Sequence, residues 1–296
     1  MLPRHVKRLL DISLEKSANL TFSKYLGTPT VSLVDFSKND GVTFEYIVPE
    51  SLCLPKISTG SPVFPVSAAL AVFDELSTYS FMLADKNHRS GVSIHLSTEM
   101  MKDISPGEKL LVNTRADKIG KTVGFCSMVM KNSSGELVAE GKHIKYLPMG
   151  VLWDIFSSKP VLSRVMAFHE RYHDTVSKSK IANQLMGFIM GGRNKGGHKT
   201  VWDVAGVGAL FEALDMSEEV NWNERNTVGA KFSTDEPRKF QLQVNSALNN
   251  MVGRMHGGAL AVAIEQALRM HDPNAEALRH LEIRYLSAMK VCIVSN

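Results

Sequence analysis

The feature that most constrains this chain is one long apolar helix with strands on both sides of it. From Pro65 to about Asp85, the residues Leu70, Phe73, Leu76, Ser77 and Phe81 recur at helical spacing. Before the helix, Thr30–Phe36 and Gly41–Val48 read as a hairpin. After it come four strand-like runs, Gly91–Met100, Lys109–Asp117, Thr122–Lys131 and Leu137–Leu147. Turn signals at Pro106-Gly107, Gly120 and Asn132–Gly135 divide them. Val123, Phe125, Ser127 and Val129 alternate with their neighbours, the period of a strand. The order predicts an α+β layer in which one antiparallel sheet wraps one helix.

The same plan begins again near the C-terminus. Thr227–Ser233 and Arg238–Ser246 read as strands, His256–Met270 as a helix and Leu278–Leu286 as a strand. Ala69-Leu70-Ala71-Val72 is matched by Ala259-Leu260-Ala261-Val262, which points to a duplicated unit. The expected division is an N-terminal domain over 1–150, a helical connector over 151–220 and a C-terminal domain over 221–296. The first helix is followed by about 65 residues of its domain and the second by 26, so the second sheet is expected to be about two strands short. Such a sheet exposes an open edge, which invites a homo-oligomer or a place in a larger assembly.

Composition narrows the class. A chain of 296 residues can hold two domains with real cores. No apolar run reaches the ~18 residues of a membrane span. A net charge of +4 suits a polyanionic small ligand and does not argue for nucleic acid. Cys53, Cys126 and Cys292 show neither pairing nor metal spacing, so a reducing compartment is expected. Arg4, Lys7, Arg8 and Lys16 among leucines resemble a mitochondrial presequence, whereas Asp11 and Glu15 fit an ordinary first helix. Mitochondrial and cytoplasmic locations both stay open.

The chemistry-bearing residues cluster in the second unit. Asn250, Gly253, the run His256-Gly257-Gly258 and a carboxylate, Glu265, nine residues after the histidine form one spaced pattern. That pattern resembles the motif of hotdog acyl-CoA thioesterases of the phenylacetate-degradation and acyl-CoA thioesterase 13 type. In the first unit, Gly91-Val92-Ser93, Pro106-Gly107, Gly120-Lys121-Thr122 and Gly141-Lys142-His143 fall where the same family places them. The resemblance covers about two thirds of the chain and implies two hotdog domains in tandem, the second incomplete. The first unit departs from the motif: Pro65-Val66-Ser67 stands for His-Gly-Gly, and Thr59 for the asparagine. It keeps Asp74 at the carboxylate position and Ser93 on the next strand. The ungapped internal match instead sets Glu75 opposite Glu265, so the choice between Asp74 and Glu75 stays open.

One helix cannot supply a whole site, because nine residues of helix separate His256 and Glu265 by about 13 Å. The resemblance implies paired units, with the carboxylate and the His-Gly-Gly turn coming from opposite ones. One composite site would then unite Asn250, His256 and Gly257 with Asp74 and Ser93. The other would unite Thr59 and Pro65 with Glu265 and Leu278, and it lacks the key groups. In the complete site Gly257 N–H would face the thioester oxygen, helped by the helix dipole, with His256 orienting the loop. Asp74 would act as general base or nucleophile, Asn250 would place the water or carbonyl, and Ser93 would orient Asp74. Gly258, Lys121 and Lys142 are the candidates for contact with coenzyme A. The implied function is hydrolysis of acyl-CoA to free acid and coenzyme A, within lipid metabolism, and it calls for no cofactor and no metal. The alternative is a catalytically degenerate hotdog serving as a structural subunit or acyl-CoA binder.

Two further patterns compete. His169-Glu170-Arg171-Tyr172-His173 matches the zinc-peptidase spacing, but Leu162, Met166 and Val176 share its helical face and packed histidines explain it as well. Gly191–Thr200 nearly matches a phosphate-binding loop, with one residue too many before Lys199. A basic loop explains it, and Arg193, Lys195 and Lys199 could reach the phosphates of coenzyme A.

Overall fold

The structure is a computed structural model. It describes residues 20–37, 41–56, 59–147, 256–271, 278–287 and 290–293, with isolated positions before residue 20, at 160–167 and at 230–242. Asn250, the zinc-peptidase pattern, the glycine-rich loop and nearly all of the expected connector lie outside the described residues.

A short helix, α1 (Thr21–Leu26), precedes strands β1 (Ser32–Ser37) and β2 (Gly41–Ile47). Two short strands, β3 (Leu54–Pro55) and β4 (Pro62–Val63), pair just ahead of the long helix α2 (Val66–Ala84). Strands β5 (Val92–Met100), β6 (Lys109–Ile119), β7 (Val123–Lys131) and β8 (Leu137–Tyr146) follow. Further on, β9 (Ala230–Lys231) and β10 (Gln241–Leu242) form an antiparallel pair within the two strands expected there. Helix α3 (Gly257–His271) then leads to β11 (His280–Ser287) and β12 (Lys290–Ile293). The second helix is therefore followed by two strands, where the sequence suggested one.

Helix α2 is buried on almost every side, including Val66 through Ser77. A helix apolar all round must be enclosed, and the sheet encloses it. Inward positions alternate with outward ones along each strand: Val42, Phe44 and Tyr46 on β2, Leu110 and Val112 on β6, Cys126, Met128 and Met130 on β7. The main sheet runs β1-β2-β6-β7-β8-β5-β11-β12, with each neighbouring pair antiparallel. A central helix clasped by such a sheet is the hotdog architecture, an α+β fold. No described helix is long and apolar enough to cross a membrane.

The two halves of the sequence meet at two places. At the sheet, β11 continues the ladder at the edge strand β5, from His280 opposite Glu99 to Arg284 opposite His95. At the helices, α2 and α3 pack against each other, and the alanines they carry near their starts, Ala68, Ala71, Ala259 and Ala261, are buried. The closest approach is at Gly258, where an added Cβ would lie 2.5 Å from both Cα and Cβ of Ala71.

That approach makes Gly258→Ala a test of the seam. Glycine to alanine in a helix normally gains roughly 0.5–1 kcal/mol. Here the new methyl meets backbone, so the helices must separate, and overpacking of this kind costs about 1–3 kcal/mol. Chemical denaturation should show a net loss of stability despite the better helix former.

Candidate active site

The site grows from the way each helix start meets the other helix. Backbone N–H groups at a helix start have no partner within the helix and carry the positive end of its dipole. Gly258, second residue of α3, donates its N–H to Asp74 Oδ2 at 3.1 Å, across 184 residues of sequence. Ser67, second residue of α2, donates its N–H to Glu265 Oε2 at 2.8 Å. Asp74 and Glu265 each stand ninth in their helix. Each helix thus places a carboxylate on the N-terminus of its neighbour. The correspondence pairs Ser67 with Gly258 and Asp74 with Glu265, so Asp74, not Glu75, occupies the position facing the glycine turn.

Glu75, one residue on, turns about 100° away. It is buried on the side of the N-terminal segment, near Ser17, Ser23 and Thr28, and 3.5 Å from the Tyr79 hydroxyl. Burial pushes its carboxyl up, against the lowering influence of His256 and the nearby serine and threonine hydroxyls.

Around Asp74 a chain of donors converges. Ser93, on β5, donates its hydroxyl to Asp74 Oδ1 at 2.8 Å. His143, on β8, holds Ser93 Oγ at 2.9 Å from Nε2, and its Nδ1 lies 2.6 Å from Ser77 Oγ. With the Ser93 proton spent on Asp74, His143 Nε2–H donates to Ser93 and Nδ1 accepts from Ser77. Burial, with the charge of Lys145, pushes His143 down to about 3, so the ring is neutral near pH 7. Lys145 is buried two positions along on the same inward face. Its ammonium donates to Thr78 Oγ1 at 2.6 Å, and Thr78 in turn donates to the Asp74 carbonyl at 2.7 Å. Burial lowers Lys145 to about 8, partly offset by the charge of Asp74.

From the other half, His256 places Nδ1 3.2 Å from Asp74 Oδ2 and 3.0 Å from Gly258 N. The ring of Phe22 lies against it, centroids 5.0 Å apart. Burial alone would raise the Asp74 carboxyl. The positive charges of His256, His143 and Lys145 and the Ser93 hydrogen bond outweigh it and bring Asp74 to about 2. Because His143 is itself neutral near pH 7, its part is the hydrogen bond relayed through Ser93. Gly257 stands between these groups. A Cβ there would lie 2.6 Å from the Tyr285 hydroxyl oxygen and 2.9 Å from Asp74 Oδ2, so only glycine fits.

Of the residues expected from sequence, Asp74, Ser93, His256, Gly257 and Gly258 come together. Gly258 contributes an N–H to the carboxylate itself. Lys121 is exposed in the β6–β7 turn, and Lys142 is exposed on the sheet face opposite the buried His143 next to it. Among the described residues neither side chain contacts Asp74. At the corresponding position of the other half, Glu265 is fully buried and held by Arg269 at 2.9 and 2.7 Å. Thr59 is exposed and receives the Ser61 N–H at 3.3 Å. Sequence reasoning assigned no role to His143, Lys145 or Tyr285. The signal for the first two was present: both occupy inward positions of a strand whose neighbours fill that face with apolar side chains. Among the described residues, no group of histidine, cysteine and carboxylate side chains could hold a metal ion.

Part of the chain is similar to known proteins. The chain is 32% identical over 75 residues to acyl-coenzyme A thioesterase 13 of Mus musculus, and 31% identical over the same length to that of Homo sapiens. The match takes in 25% of this chain and 53% of the relatives, so it spans about half their length. Among solved structures, thioesterase superfamily member 2 of zebra fish aligns with 22% identity and a TM-score of 0.41, covering 47% of this chain and 94% of that one. No protein-family model matches. Over that quarter of its length the chain is similar to proteins named acyl-coenzyme A thioesterase 13.

The buried histidine fixes how stability varies with pH. The free imidazole titrates near 6.5 and the folded one near 3, so between these values the unfolded chain binds a proton that the folded chain refuses. Stability therefore falls as pH is lowered through that window. Asp74, lowered from 3.8 to about 2, adds to the loss at the acid end. Thermal melts of His143→Gln should show a flatter slope between pH 6.5 and about 4 than the unaltered chain.

Proposed function

We propose that this chain hydrolyses acyl-CoA thioesters at one site, built from Asp74, Ser93 and His143 of the first half and from His256 and Gly257 of the second. The observation that carries the reading is a buried, ionised carboxylate set against the N-terminus of another helix, where glycine alone fits. Sequence similarity to proteins named acyl-coenzyme A thioesterase 13 supports the substrate class.

The thioester carbonyl oxygen takes the Gly257 N–H, for which no acceptor is recorded among the described residues. Charge that develops on that oxygen meets the positive end of α3. Asp74 supplies the negative partner. Asp74, ionised and facing the turn, attacks the carbonyl carbon directly. The carbon–sulfur bond then breaks, coenzyme A leaves as a thiolate that takes a proton from solvent, and water hydrolyses the acyl–Asp74 anhydride. Ser93 and His143 hold Asp74 in place throughout. In this reading the Glu265 half-site is structural, since Arg269 and the Ser67 N–H occupy its carboxylate.

Thiol release from a panel of acyl-CoA substrates tests the assignment. Asp74→Asn should lower turnover on the order of a thousandfold. Glu265→Gln should lower the melting temperature yet keep turnover within about threefold, as expected of a structural site. Equal turnover in Asp74→Asn and the unaltered chain would refute the site. Tight acyl-CoA binding without turnover would favour the binder reading.

A further inference from the structure

We infer that the hydroxyl of Tyr285 is a second donor to the thioester oxygen, working beside Gly257 N–H; this rests on the function proposed above. Tyr285 stands on β11, on the same inward face as the buried Leu281 and Ile283. It is the residue just beyond the last one paired to β5, and the ladder with β12 slips between Tyr285 and Ser287. Bulges of this kind re-aim a side chain, and they favour sites of function.

The hydroxyl is aimed at the candidate site. Its oxygen would lie 2.6 Å from a Cβ on Gly257, and Asp74 Oδ2 would lie 2.9 Å from the same point. The tyrosine oxygen, the carboxylate and the start of α3 therefore border one small space. Yet the hydroxyl is shut off from solvent and has no hydrogen-bond partner among the described residues. A buried hydroxyl left unpaired costs about 1–3 kcal/mol, so a chain that keeps one beside a carboxylate calls for an explanation. A carbonyl oxygen entering beside Gly257 N–H supplies the missing acceptor. Burial and the negative charge of Asp74 raise the phenol well above its usual range. It therefore keeps its proton and acts as a donor only. The group touches the reacting oxygen and forms no covalent bond, so attack and departure of the thiolate proceed as described above.

Tyr285→Phe removes the oxygen and keeps the ring. We expect kcat on acyl-CoA to fall roughly 100-fold, the usual effect of losing one oxyanion donor, with KM changed by less than about threefold. The melting temperature should hold or rise, because the protein loses no bond of its own. A variant that turns over within about twofold of the unaltered chain overturns the inference. So does a variant that fails to fold or melts several degrees lower, because the hydroxyl is then engaged inside the protein. A second readout does not need turnover. An acyl-CoA analogue with methylene in place of sulfur presents an unreactive ketone. Its carbonyl stretch should lie lower when bound to the unaltered chain than to Tyr285→Phe, and equal frequencies overturn the inference. If the unaltered chain neither hydrolyses acyl-CoA nor binds the analogue, the proposed function fails and this inference with it. If the unaltered chain is active and the variant equals it, only the tyrosine assignment fails.

Discussion

Everything in this structure depends on two helices lying close enough for each to cap the other. A carboxylate is costly to bury unless donors meet it, and a helix start is costly to bury unless acceptors meet it. The Asp74–Gly258 and Ser67–Glu265 contacts settle both needs at once. They go with a close approach at Ala71, which is open because position 258 carries no side chain. The site is thus a by-product of packing that the fold requires in any case.

The two ends of the helix pair have gone different ways. At one end Arg269 sits four residues from Glu265 and pairs with it, which leaves a satisfied and silent ion pair. At the other end Asp74 is met by the Ser93 hydroxyl and the Gly258 backbone amide, with His256 beside it, and no arginine pairs with it among the described residues. The same helix position therefore carries an ion pair with Arg269 in one helix and faces a glycine turn in the other. The difference lies in what stands one helical turn along.

Much of the architecture was legible in the sequence, because a buried helix and half-buried strands impose strong periods. The long helices were placed within a residue or two. β12 was missed, since four residues, Lys290–Ile293, are too short for a period to show. The choice between Asp74 and Glu75 could not be made from sequence. The ungapped match at Ala69–Val72 sets the register one residue off, and only the hydrogen bonds from Ser67 and Gly258 correct it. Ser67 itself was invisible for its role, because a backbone N–H leaves no trace in residue type. Tyr285 was beyond reach for another reason: that a hydroxyl lacks a partner is a property of its surroundings, not of its name.

The pairing of β5 with β11 carries a last consequence. Where a site is shared by two copies of one polypeptide, every copy must spell out both halves, and any change appears twice. Here one strand ladder within a single polypeptide joins the halves, so each is free to drift alone. Dilution cannot part them either, because the tether keeps their local concentration high at any level of expression. Pro65-Val66-Ser67, which differ from the His256-Gly257-Gly258 run at the start of the other helix, are the sort of divergence that such an arrangement permits.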